Sequence, residues 1–353
     1  MLYEKKLYMH NRQKALNIFL AENGWKPEHR SSLADDASFR RYDRLLDGDR
    51  RVVLMDAPPH QEDTCPFISI AELLVSLGLS APEIYAQNTD QGFLLLEDFG
   101  DKTYTRVLKA SPTQEQSLYK QAIDALIHLH KIPAKDQIPS GLAAYNTQIL
   151  LGEVRLLTDW YIPYVTAERL APEAMVAYDM VWEALFDYVQ SQPKCLVLRD
   201  FHVDNLLLLE GKSGVKACGL LDFQDALAGA RAYDLMSLLE DARRDIDDKI
   251  VAGLKQHYYD AFEDLATPGS ERDAFDATYA ILGAGRHAKV IGIFVRLYVR
   301  DGKPNYLIHI PRVWRLLERS FRHPMLSPVL DWFDTYVPKN LRKLPSILKL
   351  EDT

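Results

Sequence analysis

Most of what this sequence says about its architecture comes from Leu198-Arg199-Asp200-Phe201-His202-Val203-Asp204-Asn205, taken together with Leu220-Leu221-Asp222-Phe223-Gln224. Between the two stretches lie short apolar runs at 206–209 and 217–222, separated by a turn with two glycines. Apolar runs joined by such a turn predict a β-hairpin. Two aspartates and one asparagine therefore flank a single hairpin.

These three polar residues match the needs of phosphoryl transfer to an alcohol. That reaction uses a carboxylate that accepts or orients the hydroxyl proton, and oxygen ligands that hold magnesium against the nucleotide phosphates. Asp200 and Asn205 have the spacing of the Asp and Asn in the protein-kinase catalytic loop, and Asp222-Phe223 stands where the metal-binding Asp-Phe-Gly would be. Aspartates that merely cap turns are the competing interpretation, but the ordered pattern favours chemistry.

Working outward, the chain before Gly100 predicts a small mixed lobe and the chain after it a helical lobe. The small lobe has predicted helices at 12–23 and 67–77 and predicted strands at 38–46, 51–55, 84–87 and 93–97. Amphipathic stretches at 114–130, 146–161 and 172–190 predict long helices. The expected class is α+β, a bilobal protein-kinase-like fold. Its nucleotide-binding N-lobe is expected to cover 1–100, with a five-stranded sheet, and its C-lobe 101–353, with the catalytic loop and the acceptor site.

Composition excludes several other classes of protein. A net charge of -8 over 353 residues argues against a protein that grips nucleic acid phosphates. The three cysteines lie far apart, which favours neither a zinc site nor a redox pair. No apolar run approaches the about 20 residues needed to cross a bilayer. We expect a cytoplasmic monomer whose partners are small molecules.

The chain resembles the aminoglycoside phosphotransferase and choline kinase superfamily, in which a His commonly follows the base by two residues, as His202 does. A closer similarity, over about 36–317, is to the AmgK-type anomeric kinases of N-acetylmuramate and N-acetylglucosamine. The motifs that carry it are Asp36-Ala-Ser-Phe-Arg-Arg-Tyr42, Met55-Asp-Ala-Pro-Pro59, Gly92-Phe-Leu-Leu-Leu-Glu-Asp98, Leu220-Leu-Asp-Phe-Gln-Asp225, Tyr233-Asp-Leu235, Asp241-Ala-Arg-Arg-Asp245 and Gly292-Ile-Phe-Val-Arg296.

The resemblance implies an ATP- and Mg²⁺-dependent transferase acting on the anomeric C1 hydroxyl of these amino sugars. Its product would be the sugar 1-phosphate that feeds peptidoglycan recycling toward UDP-N-acetylmuramate. The resemblance assigns Asp200 as the catalytic base, Asn205 and Asp222 as metal ligands, and His202 as a loop-structuring residue of the catalytic loop. It also implies a buried structural role for Asp234 at the start of a helix.

Two features of ordinary kinase nucleotide sites are missing. Residues 36–40 contain no glycine, although their backbone N–H groups can still face phosphates. Met55 stands where the phosphate-binding lysine is expected, so Arg40 or Arg41 is the predicted substitute, and strand alternation allows only one of them into the cleft. Glu72 is a candidate partner for that cation, although a solvated helix carboxylate is an equal alternative.

The remaining site predictions divide between nucleotide and acceptor. Residues 96–99 end the last small-lobe strand and are the expected hinge facing the adenine. A lactyl carboxylate on the acceptor would favour a nearby arginine. The predicted nucleotide contacts are Ser38, Phe39, Arg40, Glu97 and Phe99, and the predicted acceptor contacts are Asp225, Arg243 and Arg286.

Two alternatives stay open on sequence alone. A kinase of aminoglycosides or choline would share the chemistry but would need an acidic pocket for its cationic acceptor. A pseudokinase that binds nucleotide without turnover would explain the missing glycine loop and lysine. Retention of Asp200, Asn205 and Asp222 argues against the second alternative, because a binding module does not need all three.

Overall fold

A computed structural model describes residues 2–33 and 39–344 of the chain. The described residues fall into two units. The first unit holds the chain up to Ala125 together with Val203–Asp225, and the second holds Leu126–His202 and the chain from Ala226 onward. The first unit thus extends past Gly100 and takes in the hairpin between the two catalytic stretches, so the single lobe boundary near Gly100 stays a prediction.

Helices dominate the described chain, which fits the predicted α+β class. In chain order they are α1 (Leu2–Glu22), α2 (Cys65–Ser76), α3 (Tyr104–Ala110), α4 (Glu115–Lys131), α5 (Ala134–Gln137), α6 (Thr147–Leu156), α7 (Ile162–Thr166), α8 (Pro172–Gln190), α9 (Ala232–Leu239), α10 (Asp248–Asp260), α11 (Glu263–Ala266), α12 (Ser270–Asp301), α13 (Ile310–Ser320) and α14 (Ser327–Tyr336). A π-helical segment, Leu157–Tyr161, joins α6 to α7. No helix within the described ranges is both long enough and apolar enough to cross a membrane.

The strands form one five-stranded sheet and two small ribbons. They are β1 (Arg30–Ser32), β2 (Arg41–Asp47), β3 (Arg50–Asp56), β4 (Ile84–Asn88), β5 (Phe93–Leu96), β6 (Lys194–Val197), β7 (Leu206–Leu208), β8 (Cys218–Leu220) and β9 (Leu227–Ala230). The sheet is antiparallel with the order β1-β2-β3-β5-β4. The predicted hairpin of β7 and β8 is present, with Leu206 opposite Leu220.

The first unit is built around the sheet. Leu16, Phe19 and Leu20 recur along one face of α1, so this face packs onto the sheet through Leu45 and Leu54, where all five side chains are buried. Gly24 has φ of +73°, a left-handed conformation that ends the helix at the predicted position.

The second unit is organised by α12, which packs against α6, α9 and α13. Gly292 sits where α12 crosses the junction of α6 and the π-helical segment. A Cβ at this position would lie 2.2 Å from the carbonyl carbon of Leu156 and 2.6 Å from the backbone nitrogen of Leu157. The close approach of the two helices therefore requires glycine.

Candidate active site

The loop that carries Asp200 follows β6 in the second unit. The strand β6 pairs antiparallel with β9, which leads directly into α9. Asp234, in the first turn of α9, is 1% exposed and accepts hydrogen bonds from the backbone nitrogens of Leu198 (2.7 Å) and Arg199 (2.9 Å). The structural role expected for Asp234 is thus to cap the catalytic loop. Burial raises the pKa of its carboxyl to about 7, against the lowering effect of the two N–H groups.

Arg199 fixes the backbone immediately before Asp200, the predicted base. Its φ is +68°, an unfavourable conformation for a residue with a side chain. Its guanidinium donates to Glu153 of α6 at 2.6 Å, and its carbonyl accepts from the Ser237 hydroxyl at 3.3 Å. The ring of Tyr145 lies 5.5 Å from the guanidinium carbon. Contacts from several elements therefore stabilise the unfavourable backbone conformation of Arg199, which determines the direction of the following residue, Asp200.

The charges around Asp200 keep it ionised. Its side chain is 37% exposed, and Arg286 of α12 lies 3.7 Å from it. Burial alone would raise the pKa of Asp200, but Arg286, Lys289, His202 and Arg199 together lower it. A carboxylate that is charged at neutral pH can accept a hydrogen bond from an alcohol and then its proton.

His202 lies in the same loop and is buried. Burial lowers its pKa, and Arg286 and Arg243 lower it further, while Asp241 and Asp200 act in the opposite direction. The imidazole is therefore neutral near pH 7, which agrees with a loop-structuring role better than with a cationic one.

The two predicted metal ligands meet in the first unit, at the base of the β7–β8 hairpin. Asn205 Nδ2 donates to Asp222 Oδ2 at 3.1 Å, and the backbone nitrogen of Leu221 donates to the carbonyl of Asn205 at 3.0 Å. Asp222 has φ of +60°, and the next residue, Phe223, stacks on Phe67 of α2 with ring centroids 5.1 Å apart.

This pair of residues suits magnesium better than a metal ion that takes all of its ligands from the protein. Mg²⁺ prefers oxygen donors and is commonly held by one or two side chains plus substrate phosphates. Asp222 and Asn205 supply a carboxylate and an amide oxygen on one side of a cavity. No group of three or more His, Cys, Asp or Glu in the described ranges is arranged to hold a metal ion. The donor set therefore fits a cation that arrives with its nucleotide.

A cavity of about 410 Å³ opens beside this pair, entirely within the first unit. Its polar side includes Asn205 and Asp222, and its apolar walls come from the sheet, the predicted hinge, α2 and β7. The wall residues are Tyr42, Val53, Phe67, Leu96, Phe99 and Leu207. A cavity with apolar walls that ends at two oxygen-bearing side chains can bind the adenine of a nucleotide at one end and its phosphates at the other.

The basic side chains near the cavity of the first unit differ in part from those that the sequence predicts to bind phosphate. Met55 is fully buried and apolar, so β3 supplies no cation at this position. Arg40 has an 11% exposed side chain and pairs with Glu62 at 3.1 Å. Glu72 is exposed on α2, which fits the alternative of a solvated helix carboxylate. Arg44, which sequence reasoning missed, lines the cavity and pairs with Asp98 at 2.8 Å.

The other predicted contacts lie in different surroundings. Glu97 and Phe99 both line the cavity. Phe39 is 63% exposed and is not among the cavity residues, and Ser38 lies outside the described residues. All five predicted nucleotide contacts stay predictions.

The predicted acceptor contacts also stay predictions. Asp225 is exposed, with Gln224 Nε2 at 3.5 Å from its carboxylate. Arg243 is exposed, and its backbone nitrogen donates to Asp241 at 2.7 Å. Arg286 points at the base and also donates to the hydroxyl of Tyr233 at 3.2 Å.

Sequence reasoning missed Glu153, whose carboxylate joins several side chains around the loop that carries Asp200. Its carboxylate accepts from Arg199, from Lys289 at 2.7 Å and from the Tyr145 hydroxyl at 2.5 Å. Burial raises the pKa of Glu153, but the two cations more than offset this and lower it. A single Glu on a helix gave no local signal, because its partners come from distant parts of the chain.

Comparison with known proteins finds similar sequences over most of the chain. The model of the phosphotransferase enzyme family matches residues 29–269. The chain is 39% identical to the N-acetylmuramate/N-acetylglucosamine kinase of Pseudomonas aeruginosa over 316 residues, which cover 88% of this chain and 90% of that protein. It is 33% identical to the kinase of the same name from Caulobacter vibrioides over 364 residues, which cover 94% and 98% of the two chains.

The fold is also found among solved structures. An ADP-bound aminoglycoside phosphotransferase superposes with a TM-score of 0.54 at 16% identity, covering 89% of this chain and 98% of that one. At this level of identity the likeness concerns the fold alone. It confirms the predicted protein-kinase-like class of the aminoglycoside phosphotransferases.

Proposed function

Because this chain belongs to the phosphotransferase enzyme family, we propose that it transfers the γ-phosphoryl group of ATP to the anomeric C1 hydroxyl of N-acetylmuramate and N-acetylglucosamine. The names of its relatives support these two sugars as acceptors. The product would be the sugar 1-phosphate, and its use in recycling cell-wall precursors toward UDP-N-acetylmuramate belongs to the same proposal.

The single observation that carries the phosphotransfer chemistry is the Asn205–Asp222 pair beside a cavity of nucleotide size. When bound there, Mg²⁺ would neutralise charge on the nucleotide phosphates. Asp222 would supply a carboxylate oxygen and Asn205 an amide oxygen. Glu97 and Phe99 would face the adenine of the nucleotide, and Ser38, Phe39 and Arg40 would face its phosphates.

In the proposed reaction, Asp200 orients the sugar hydroxyl and receives its proton as the new oxygen–phosphorus bond forms. The bond between the γ-phosphorus and the bridging oxygen breaks, and ADP leaves with the electron pair. Because Arg286 and Lys289 favour the ionised form of Asp200, the carboxylate is ready to accept at neutral pH. Its low basicity suits a loose transition state in which the proton moves late.

Phosphorus NMR of the product from ATP and N-acetylmuramate tests both the transfer and its position. We expect one new phosphomonoester signal whose phosphorus couples to the anomeric proton. A phosphate on another sugar hydroxyl would contradict the anomeric assignment. Kanamycin and choline in parallel reactions test the alternative acceptors, and consumption of ATP only with one of these would replace the proposed substrate class. Nucleotide binding without any transfer would indicate a pseudokinase.

A further inference from the structure

Arg44 lies in the wall of the cavity that contains Asn205 and Asp222, within the first unit. In β2 it stands opposite Val53 of β3, and Tyr42 lies two residues earlier on the same face of the strand. Arg44, Val53 and Tyr42 all line the cavity, whereas Leu45 of β2 is buried on the other face, against α1. The alternation of side chains along β2 therefore directs Arg44 to the cavity side of the sheet.

Two carboxylates hold the guanidinium of Arg44 along two of its edges. Its Nη2 donates to Asp98 Oδ1 at 3.0 Å, and its Nε lies 2.8 Å from Asp98 Oδ2. Its Nη1 donates to Asp101 Oδ2 at 2.9 Å, and Nη2 also donates to Asp101 Oδ1 at 3.2 Å. Asp98 is itself fixed, because its side chain is 2% exposed and accepts from the backbone nitrogen of Gly100 at 2.8 Å. The plane of the guanidinium is therefore set before any ligand binds.

This arrangement leaves the flat face of the guanidinium for a ligand. A guanidinium binds phosphate through a fork of two N–H groups, and the carboxylates of Asp98 and Asp101 already occupy both forks that contain Nη2. A guanidinium whose edges are engaged can still stack on an aromatic ring. Arg44 therefore suits a nucleobase better than a phosphate.

The surroundings of Arg44 also favour the base of a nucleotide over its phosphates. Asp98 belongs to the predicted hinge, 96–99, and Asp101 follows the hinge by two residues, so the guanidinium lies at the hinge end of the cavity. Two carboxylates at this end repel a polyphosphate. Arg106, the other arginine among the cavity residues, has a side chain that is 64% exposed and lies 3.5 Å from Asp101. An uncharged ring meets no such repulsion.

We propose that Arg44 is a nucleotide-binding residue that stacks its guanidinium on the adenine ring. Asp98 and Asp101 are positioning residues that hold the guanidinium plane from its edges. The contact concerns the base alone, so it contributes equally to the binding of adenosine, ADP and ATP. This inference rests on the proposed function, and it adds a base contact that no kinase motif in the sequence predicts.

Arg44→Lys tests the stacking, with the Kd of adenosine and the Kd of tripolyphosphate with Mg²⁺ measured by isothermal titration calorimetry. Lysine keeps a cation beside Asp98, which would otherwise be a buried charge without a partner, but it has no planar group. The Kd of adenosine should rise about fivefold. The Kd of tripolyphosphate should stay within about twofold, because the charge of the site is unchanged.

Other outcomes of this experiment overturn the inference. A weaker binding of tripolyphosphate with unchanged binding of adenosine would make Arg44 a phosphate-binding cation. Equal weakening of both probes, or no change in either, would show that Arg44 only links the sheet to the hinge. A wild-type protein that binds adenosine and ATP but phosphorylates neither sugar would overturn the proposed function alone, and one that binds neither nucleoside nor nucleotide would overturn both.

Arg30→Lys is the matched control for Arg44→Lys. Arg30 of β1 pairs with Asp43 of β2, its Nε lying 2.9 Å from Oδ2, and neither residue is among those that line the cavity. The same substitution there should change neither Kd.

Asp101→Asn keeps the proposal testable if a thermal melt shows that Arg44→Lys does not fold. The Asp101 side chain is 58% exposed, so this variant should fold. It weakens one of the two anchors of the guanidinium plane, and the Kd of adenosine should rise about twofold because the stacking group is less preorganised. An unchanged Kd for adenosine, or a lower Kd for tripolyphosphate alone, would overturn the inference, the latter because a freed fork would then bind phosphate.

Discussion

At the scale of single residues, Asp200 and Asp234 are two carboxylates close in space with opposite pKa shifts. Cations lower the pKa of Asp200, whereas burial raises that of Asp234 to about 7. The lowered pKa keeps Asp200 charged, as the proposed base requires, while Asp234 holds the backbone of the loop. The spacing of Asp200, Asn205 and Asp222 could be recognised in the sequence. The contact with Arg286 could not, because 86 positions separate it from Asp200 and only the fold brings the two together.

Arg286→Gln tests how the base is kept ionised. Arg286 is the largest of the charges that lower the pKa of Asp200, so its loss leaves burial less opposed and the pKa rises. The acid limb of the kcat profile should therefore move to higher pH by about one unit, with kcat reduced most at low pH. Arg155→Gln, which breaks the pair between Arg155 on α6 and Asp179 on α8, should leave the limb in place. If the variant raises KM and leaves the acid limb in place, Arg286 contacts the sugar and does not set the pKa of Asp200.

At the scale of elements, three helices converge on the catalytic loop through Glu153 on α6, Asp234 on α9 and Arg286 on α12. The helical periodicity of α6 and α8 was visible in the sequence, and so was the β7–β8 hairpin. Strand β9 was missed because its residues, Leu-Ala-Gly-Ala, have low strand propensity, so that pairing with β6 decides their conformation. The junction of α6 with the π-helical segment also depends on a tertiary contact, the close approach of Gly292.

Gly292→Ala tests this helix crossing. The added methyl group would overlap backbone atoms of Leu156 and Leu157, so we expect a loss of about 1–3 kcal/mol in the free energy of unfolding. Because α6 carries Glu153, which anchors the catalytic loop, kcat should fall as well.

Gly253→Ala is the matched control for that variant. Gly253 lies in the exposed interior of α10 with no atom within 4 Å of the added methyl, so the change should be neutral or stabilise the protein by up to about 1 kcal/mol. Urea denaturation of the three proteins makes the comparison. Equal stabilities of the two variants would show that the helices do not require close contact at Gly292.

At the scale of the whole molecule, the proposed metal ligands Asn205 and Asp222 belong to the first unit and the proposed base Asp200 belongs to the second. The sequence motifs were sufficient to predict the family. They did not reveal Arg44 in the first unit or the contacts of Glu153 in the second, since both depend on which side chains meet after folding. A ligand that binds either unit in its native state should raise the stability of the protein.

Asp222→Asn tests the link between metal and nucleotide. In the wild type, ATP with Mg²⁺ at about a hundred times its Kd should stabilise the fold by about 2.7 kcal/mol, whereas Mg²⁺ without nucleotide should have little effect. In the variant the stabilisation should be largely lost, because the substitution removes the negative charge of the pair and leaves the cation with two neutral amides. Asparagine tolerates the left-handed backbone at this position, so the variant should fold. A thermal shift that is identical in the two proteins would remove Asp222 from the metal site.

The central claim is that Asp200 acts on the acceptor hydroxyl and not on the nucleotide. The most direct measurement is kcat for N-acetylmuramate in Asp200→Asn, made together with the Kd for ATP in the presence of Mg²⁺. We expect kcat to fall by at least about a hundredfold while the Kd for the nucleotide stays within about twofold of the wild-type value. Retention of kcat, or an equal loss of turnover and nucleotide binding, would contradict the account.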